Sequence, residues 1–273
     1  MTAGRSPGRG IGADLAGAPE VVAARGGGLG RPLWLLASTT STNDDAKRGA
    51  REGAPHGTTW VAEQQTAGRG RQGRLWLSPP GENLLFSVLV RESPPARRLP
   101  LVALVAGLAV RDAVARALSD GEVKIKWPND VMIGVRKVAG VLVEAITAGS
   151  RVEAIVVGVG VNVHARTFPD EIAQRATSIA LALPPGAHPP ERAAILGDAL
   201  SALDRDLHVV LARGLGVVRA RLEAADALRD RRIRCDSGDE GMASGIDEEG
   251  RLLVRRDDGV LARWASGEVH LIG

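Results

Sequence analysis

The chain has 273 residues, of which 44% are hydrophobic, so it can bury a core in one large domain or in a large domain with a small partner. A single cysteine, Cys235, excludes an intrachain disulfide and a metal site built from several cysteines. The calculated pI is 9.6, but the net charge is only +3 and acidic residues are interspersed, so bulk charge does not indicate nucleic-acid binding. The longest strongly apolar run, residues 99–110, is too short to cross a bilayer, and we expect a cytoplasmic protein.

Residues 1–31 are rich in Gly, Ala and Arg and show neither a helical nor a strand period, which predicts a disordered segment. Order is expected to begin with a short strand at residues 33–37. A helix should then start within residues 40–43, all of which are good N-cap candidates. Asp44 and Asp45 follow and suit the positive end of the helix dipole.

The middle of the chain predicts strands, one helix and a meander. Residues 58–65 and 83–90 are typical of strands, and residues 99–118 form a helix with small residues along one side. Four β-branched runs separated by short turns follow between residues 122 and 163. Their short connections favour an antiparallel meander.

Two helical stretches, residues 191–213 and 217–228, lead into a different pattern. From there to the C-terminus, short strands alternate with Gly/Asp turns about every ten residues, which is typical of a small barrel. We therefore predict three segments: a disordered segment at 1–31, a main domain at 32–228 and a small β-domain at 229–273.

The stretch "QTAGRGRQGR", residues 65–74, places three glycines and three arginines in its last seven positions. It could be an exposed Arg/Gly loop that binds RNA, or a loop that closes over small anions. Because it follows a strand, the backbone amides of Gly68, Gly70 and Gly73 could approach an anion closely. The residues alone leave both hypotheses open.

Two further stretches place polar residues at strand ends. In "KIKWPND", Lys126, Asn129 and Asp130 could face a site, and Asp130 could hold Mg²⁺ or a ribose; the alternative is a plain turn with Trp127 in the core. In "RKVAGVLVE", Lys137 is either a solvated edge residue or a site residue, with Gly140 allowing close approach of a ligand. The sequence "GVGVN" at residues 158–162 lacks the strand–turn–helix context of a dinucleotide-binding fold.

Taken in order, "STN", "EQQTAGRGRQGRLW", "KWPND", "KVAGVLVE" and "GVGVNV" resemble the motif series of biotin protein ligases over residues 33–273. The resemblance implies an α+β fold: a mixed β-sheet catalytic domain with packed helices, similar to class II synthetases, plus a small C-terminal SH3-like β-barrel. It also implies two steps. Biotin and ATP, with Mg²⁺ as cofactor, form biotinyl-5′-AMP and pyrophosphate, and a carrier-protein lysine then takes the biotinyl group.

The resemblance also implies site residues. Lys137, between carboxylate and phosphate, and Arg71 are the expected catalytic residues. The expected biotin-binding residues are Ser41, Thr42, Asn43, Gln65, Gly68, Arg69, Gly70, Arg71, Lys137 and Gly140. The expected nucleotide-binding residues are Arg74, Trp76, Lys126, Asn129, Asp130 and Asn162, with Asp130 also the expected metal ligand. The expected apolar wall for biotin consists of Val138, Gly140, Val141 and Val159.

The implied partner is a biotin carboxyl carrier protein of acetyl-CoA carboxylase or a related carboxylase, and the resemblance is compatible with a homodimer. Because only Gly/Ala/Arg-rich residues precede the first strand, we expect a ligase without DNA binding or repressor activity. Three alternatives are a lipoate protein ligase, a biotin-binding regulator without turnover and an RNA-binding protein. The presence of Arg69, Arg71 and Lys137 argues against the regulator, and RNA binding would favour more stacking aromatics than Trp76 alone.

Overall fold

The computed structural model describes residues 10–119 and 121–272. It contains a large mixed sheet, a small antiparallel sheet and helices on both faces of the large sheet. The helices are α1 (Ala13–Ala16), α2 (Ala18–Arg25), α3 (Thr42–Arg51), α4 (Leu99–Ala117), α5 (Asp170–Ala173), α6 (Ile179–Ala182), α7 (Arg192–Arg213) and α8 (Arg219–Ala225). This architecture confirms the predicted α+β class.

The large sheet has seven strands in the order β1-β2-β3-β7-β6-β5-β4. The strands are β1 (Leu33–Leu36), β2 (Thr59–Ala62), β3 (Asn83–Val90), β4 (Val123–Lys126), β5 (Asp130–Ile133), β6 (Arg136–Ala148) and β7 (Arg151–Asn162). Only β1 and β2 pair in parallel, and every other neighbouring pair is antiparallel. The sheet is therefore mixed, and β4 to β7 form the predicted meander.

Two layers of helices explain why the central strands carry continuous apolar runs. All eight residues of β3 are buried, which is expected for a strand covered on both faces. Helices α4 and α7 pack together over one face and contribute most of their apolar residues to the main core. Helix α3 covers the other face, where Trp60 packs in a smaller cluster with Ala46 and Leu89.

The C-terminal part forms a separate five-stranded sheet in the order β11-β10-β9-β8-β12, with every neighbouring pair antiparallel. The strands are β8 (Arg232–Cys235), β9 (Glu240–Ile246), β10 (Leu252–Arg255), β11 (Leu261–Trp264) and β12 (Val269–Leu271). This sheet is the predicted small β-domain. It contacts the main domain where Trp127 Nε1 donates a hydrogen bond of 2.9 Å to the Gly250 carbonyl.

The prediction of disorder for residues 1–31 is wrong over residues 10–31; residues 1–9 lie outside the described residues. Helices α1 and α2 pack on α7, with Leu15 and Val22 almost fully buried. Asp14 Oδ1 also lies 2.6 Å from Nη2 of the buried Arg192. Helices of four and eight residues are too short to show a clear period, so contacts with the distant α7 decide this structure.

Other differences concern element ends. The predicted strand at residues 58–65 ends at Ala62, and the predicted helix at 217–228 is a short 3-10 turn followed by α8. No helix of the described residues is both long enough and apolar enough to cross a membrane.

Candidate active site

Two adjoining cavities lie where the large sheet meets the C-terminal sheet. The first has a volume of about 140 Å³ and is bounded by the start of α3, the loop after β2, strands β5 to β7 and the start of β12. Its polar and glycine lining consists of Ser41, Thr42, Asn43, Gln65, Arg69, Gly70, Arg71, Arg74, Lys126, Asn129, Asp130, Lys137, Gly140, Gly158, Gly160 and Glu268. Val141 and Val159 provide apolar surface, as expected.

The second cavity, about 310 Å³, continues from the first. Residues lining both are Arg74, Leu75, Trp76, Lys126, Asp130, Lys137 and Glu268. The second cavity extends to Asn162 and to the segment after β7, where Phe168, Ile172 of α5 and Arg175 line it. The site thus has two compartments, with Lys137 and Trp76 at their boundary.

A network of buried polar groups closes one end of the first cavity, and the side chains that line this end are uncharged. Gln65 Oε1 accepts a hydrogen bond of 2.7 Å from the Thr42 backbone amide and one of 3.0 Å from Thr42 Oγ1. Ser87 Oγ donates to Asn43 Oδ1 at 2.6 Å, and Asn43 Nδ2 donates to Glu144 Oε2 at 2.7 Å. Thr42, Asn43 and Ser87 are nearly fully buried, so this end is rigid and suits a small polar head group.

Two glycines of β7 explain the "GVGVN" motif. A Cβ built at Gly158 would lie 2.0 Å from Asn43 Oδ1, and a Cβ at Gly160 would lie 2.5 Å from the Trp76 ring. The motif therefore provides a flat strand surface on which two site residues rest. It lies within β7, which confirms that no dinucleotide-binding turn is present there.

Residues 66–76, here called the cationic loop, fold as a small hairpin. The Gly70 amide donates to the Arg74 carbonyl at 2.7 Å, and the Trp76 amide donates to the Gly68 carbonyl at 2.9 Å. Each arginine reaches a different wall of the site. Arg69 Nη2 lies 2.6 Å from Asp44 Oδ1, Arg71 Nη1 lies 3.2 Å from Asn129 Oδ1, and Arg74 Nη2 lies 2.6 Å from Glu268 Oε2.

Lys137 occupies the junction of the two cavities. Its Nζ lies 2.6 Å from Asp130 Oδ1 and 5.5 Å from the centroid of the Trp76 ring, within cation–π range. The side chain also lies over Gly140, where a Cβ would come within 3.1 Å of Nζ. This contact accounts for a glycine at that position.

A β-bulge places Lys137 on this face and corrects one expectation. The register between β5 and β6 shifts so that Met132 pairs with Lys137 while Val131 pairs with Ala139. Val138 is the extra residue; it is fully buried in the main core and lines neither cavity. The prediction that Val138 forms part of the apolar wall is therefore wrong, because a bulge changes which residues share a face.

Burial and neighbouring charges shift the pKa values of the cations in the site. Burial lowers the pKa of Arg71 and the pKa of Lys126. The hydrogen bond to Glu268 raises the pKa of Arg74. A guanidinium stays protonated in proteins, so Arg71 is a partly desolvated positive charge whose polar partner is the neutral Asn129.

Most expected site residues come together in this structure. All the expected biotin-side residues except Gly68 line the first cavity, and Asn162 lines only the second. Gly68 instead packs beneath the loop, where a Cβ would lie 2.5 Å from the Trp76 carbonyl oxygen. Asn162 donates to the Thr177 carbonyl at 2.9 Å, which orients the end of β7.

Sequence reasoning missed several lining or supporting residues, namely Glu144, Glu268, Leu75, Phe168, Ile172 and Arg175. The sequence could have revealed Glu144, because side chains alternate between the two faces of a strand. Glu144 is four residues after Gly140 in β6, so the two positions share a face. Glu268 could not be found this way, because it belongs to the other sheet and reaches the site only through tertiary packing.

Oxygen donors suitable for a hard cation are present near the junction of the two cavities. Asp130 offers a carboxylate in both cavities, next to Asn129. Farther out, Asp236, Glu268 and His270 place one ligand atom each within 4.8 Å of one another. Arg74 already pairs with Glu268, so a cation at this second cluster would meet a competing positive charge.

The sequence profile of the Biotin/lipoate A/B protein ligase family matches residues 35–162, and that of the Biotin protein ligase C terminal domain matches residues 239–271. The first profile covers both the cationic loop and Lys137, and the second covers Glu268. The fold and site thus define a protein ligase of the biotin/lipoate class.

Relatives narrow the assignment. The chain is 35% identical to the biotin–[acetyl-CoA-carboxylase] ligase of Mycobacterium tuberculosis, over 90% of this chain and 92% of the relative. It is 33% identical to a bifunctional ligase/repressor of Bacillus spizizenii, over 85% of this chain and 72% of the relative. The biotin protein ligase from Aquifex aeolicus in complex with biotin and ATP superposes with a TM-score of 0.74 at 30% identity, covering 88% of this chain and 98% of that structure. The chain belongs to the biotin protein ligase family.

Proposed function

We propose that this protein activates biotin with ATP to form biotinyl-5′-AMP and then transfers the biotinyl group to a lysine of a biotin carboxyl carrier protein. One observation carries the proposal: an uncharged polar cavity end and a cationic junction lie in one continuous two-compartment site. The polar end around Asn43 and Gln65 suits the ureido ring, and Val141 and Val159 suit the thiophane ring and valeryl chain. The carboxylate then reaches the junction at Lys137.

In the first step a carboxylate oxygen of biotin forms a bond to the α-phosphorus of ATP. The bond from that phosphorus to the bridging oxygen breaks, and pyrophosphate leaves. Two like unit charges about 4 Å apart repel by ~4 kcal/mol at an effective dielectric constant near 20. Lys137 and Arg74 line both cavities at the junction, and Arg71 lines the first cavity beside it. These three cations offset that repulsion in the transition state.

The nucleotide occupies the second cavity in this proposal. Phe168 and Ile172 offer apolar surface for the adenine, in the segment after β7, which contains no tryptophan. Asp130 fits the usual binding mode of Mg²⁺, which takes one or two carboxylates plus substrate phosphates. When bound there, Mg²⁺ would neutralise phosphate charge. The ion pair between Asp130 and Lys137 keeps the carboxylate of Asp130 oriented toward the junction.

In the second step the acceptor lysine amine attacks the acyl carbon, AMP leaves with the anhydride oxygen, and the amine loses a proton. Until then the anhydride must be kept from water. The cationic loop is suited to this role because it combines a hairpin with arginines directed at three walls of the site.

The proposal includes a carrier domain of acetyl-CoA carboxylase or a related carboxylase as the partner, and the cytoplasm as the compartment in which ATP is available. It retains the predicted boundary between a catalytic domain that ends at 228 and a small domain at 229–273, with helices α1 and α2 added to the catalytic domain because they pack on α7. A homodimer would pair through the edge strand β1 of the large sheet, because the other edge strand, β4, already pairs with residues 226–227. Light scattering on the purified protein measures the oligomeric state.

The test is ATP–pyrophosphate exchange on the purified protein, with biotin, lipoate and octanoate compared in parallel. We expect exchange with biotin only, followed by label transfer from biotin to a purified carrier domain. Exchange with lipoate alone would assign the protein to the lipoate ligases. Folded protein that binds biotin but supports no exchange would instead be a regulator.

A further inference from the structure

A buried arginine connects three distant parts of the main domain. Arg192, the first residue of α7, has only 1% of its side chain exposed. It donates hydrogen bonds to the carboxylate of Asp14 in α1, to that of Glu63 just after β2 and to the carbonyl of Asn83, the first residue of β3. These four residues are here called the Arg192 cluster.

The five N–H groups of the Arg192 guanidinium all have an acceptor in this cluster. Nε and Nη2 lie 2.7 Å and 2.6 Å from the two oxygens of Asp14, and Nη1 and Nη2 lie 2.7 Å and 3.1 Å from the two oxygens of Glu63. The second N–H of Nη1 faces the Asn83 carbonyl at 3.1 Å. Each carboxylate is held at both oxygens, so the guanidinium fixes the position and the orientation of both partners.

The Glu63 branch of this cluster leads to the first cavity. Glu63 continues the extended chain of β2, since its amide donates to the Leu36 carbonyl at 2.9 Å. Gln65, two residues farther on, still forms a parallel bridge with Thr39 and lines the first cavity. A displacement of Glu63 is therefore transmitted along two residues of extended backbone to the polar end of this cavity.

The Asn83 branch leads to the second cavity. Asn83 pairs with Asn162 across β3 and β7, and its Oδ1 accepts a hydrogen bond of 3.1 Å from the Val163 amide. Asn162 lines the second cavity. Asp14 reaches the same strand end, since its Oδ2 lies 3.1 Å from Nε2 of His164. The end of β7 is therefore held by two members of the cluster.

A buried ion pair often adds no more stability than packed apolar side chains of similar volume. Its directional hydrogen bonds, however, select one geometry of the groups that they join. We propose that Arg192 is a positioning residue for both substrates, because it fixes the strand ends that carry Gln65 and Asn162. The inference rests on the function proposed above, in which biotin occupies the first cavity and ATP the second. The cations at the junction have their partners elsewhere in the site, so the cluster acts on substrate binding rather than on the chemical step.

Arg192→Lys tests the proposal, because an ammonium keeps the charge but has three donors and cannot hold two carboxylates in fork geometry. In biotin-dependent ATP–pyrophosphate exchange we expect the KM values for biotin and for ATP each to rise about fivefold, with kcat within twofold of wild type. Val22→Ala is the matched control and should leave both KM values unchanged, since Val22 is a buried residue of α2, which packs on α7 as well. Either KM of Arg192→Lys within twofold of wild type, or an equal rise in Val22→Ala, would overturn the proposal.

Asp14→Asn is the second variant and keeps the test decisive if Arg192→Lys does not fold, as judged by circular dichroism. The amide of asparagine has one acceptor oxygen for the two N–H groups that Asp14 holds, so the guanidinium is displaced from one fork only. We expect both KM values to rise about threefold at a temperature where the variant is fully folded. Unchanged KM values in folded Asp14→Asn would equally contradict the positioning role.

Hydrogen–deuterium exchange of the ligand-free protein tests the cluster without any substrate. The amides of Glu63 and Val163 are hydrogen-bonded at the two strand ends, and Arg192→Lys should make both exchange about fivefold faster. Strand β10 in the small sheet is the internal standard. If biotin supported no ATP–pyrophosphate exchange, the proposed function would fail on its own, whereas unchanged hydrogen exchange at both amides would overturn the role of Arg192.

Discussion

Asn43 rests directly on Gly158, with its Oδ1 only 2.0 Å from the position that a Cβ of residue 158 would occupy. In that position Asn43 accepts a hydrogen bond from Ser87 and donates one to Glu144. Gly158 is therefore a condition for the polar end of the first cavity, although it offers no functional group of its own.

Gly158→Ala should raise the KM for biotin in the exchange reaction at least tenfold and leave the KM for ATP within threefold. The new methyl group must displace Asn43, which loses two hydrogen bonds of about 1 kcal/mol each, and ~1.4 kcal/mol corresponds to a factor of ten. Gly107→Ala is the control, since its Cβ would meet Ile125 Cγ2 at an ordinary 3.8 Å in α4. Equal rises in both KM values would indicate general damage to the site.

Lys137→Ala should reduce adenylate formation by at least a hundredfold, as measured by biotin-dependent exchange. The substitution removes the cation at the junction and leaves Asp130 to repel the incoming phosphates. Lys124→Ala is the control, because this lysine is on β4 and donates to the Ala224 carbonyl. An unchanged exchange rate would exclude the assigned role of Lys137.

Arg71→Gly should release biotinyl-AMP into solution faster than wild type, because the loop loses its contact with Asn129. The measurement is the rate at which radiolabelled adenylate leaves the enzyme during gel filtration, and we expect an increase of about tenfold. Arg97→Gly, in the exposed 3-10 helix Ala96–Arg98, is the control. Retention of the adenylate as in wild type would contradict the role of the loop in closure.

Asp14→Asn should lower the free energy of unfolding at pH 7 by about 2 kcal/mol, measured by urea denaturation. Although burial opposes it, hydrogen bonds from Arg192 and His164 lower the pKa of Asp14 from 3.8 to about 2. Because the folded pKa is depressed, this stabilisation is complete well above pH 4 and is lost as the pH falls toward 2.

The stability difference between wild type and Asp14→Asn should therefore shrink between pH 4 and pH 2. Asp170→Asn is the control, since Asp170 is exposed in the first turn of α5. A pH-independent difference would show that Asp14 acts through packing rather than through its charge.

The local hydrophobic pattern of the sequence was sufficient to predict the central strand β3 and helix α4. Strand β3 has the predicted bounds, and α4 ends within one residue of its prediction, because long apolar runs bury the same residues in any arrangement of their neighbours. The motifs around Arg71, Asn129 and Lys137 likewise predicted side chains that the fold brings together around one cavity.

The sequence by itself thus determined the α+β class, the elements of the meander and most of the residues that line the first cavity. Only the tertiary structure decided that residues 10–31 fold as helices α1 and α2 and that Val138 lies in the core. It also decided that Glu144 and Glu268 contact residues of the site. Helices α1 and α2 are too short to be stable alone and need contacts with α7, which is far along the chain. Val138 depends on a bulge in pairing with another strand, and Glu268 depends on how two sheets pack; neither is encoded in the local periodicity of the chain.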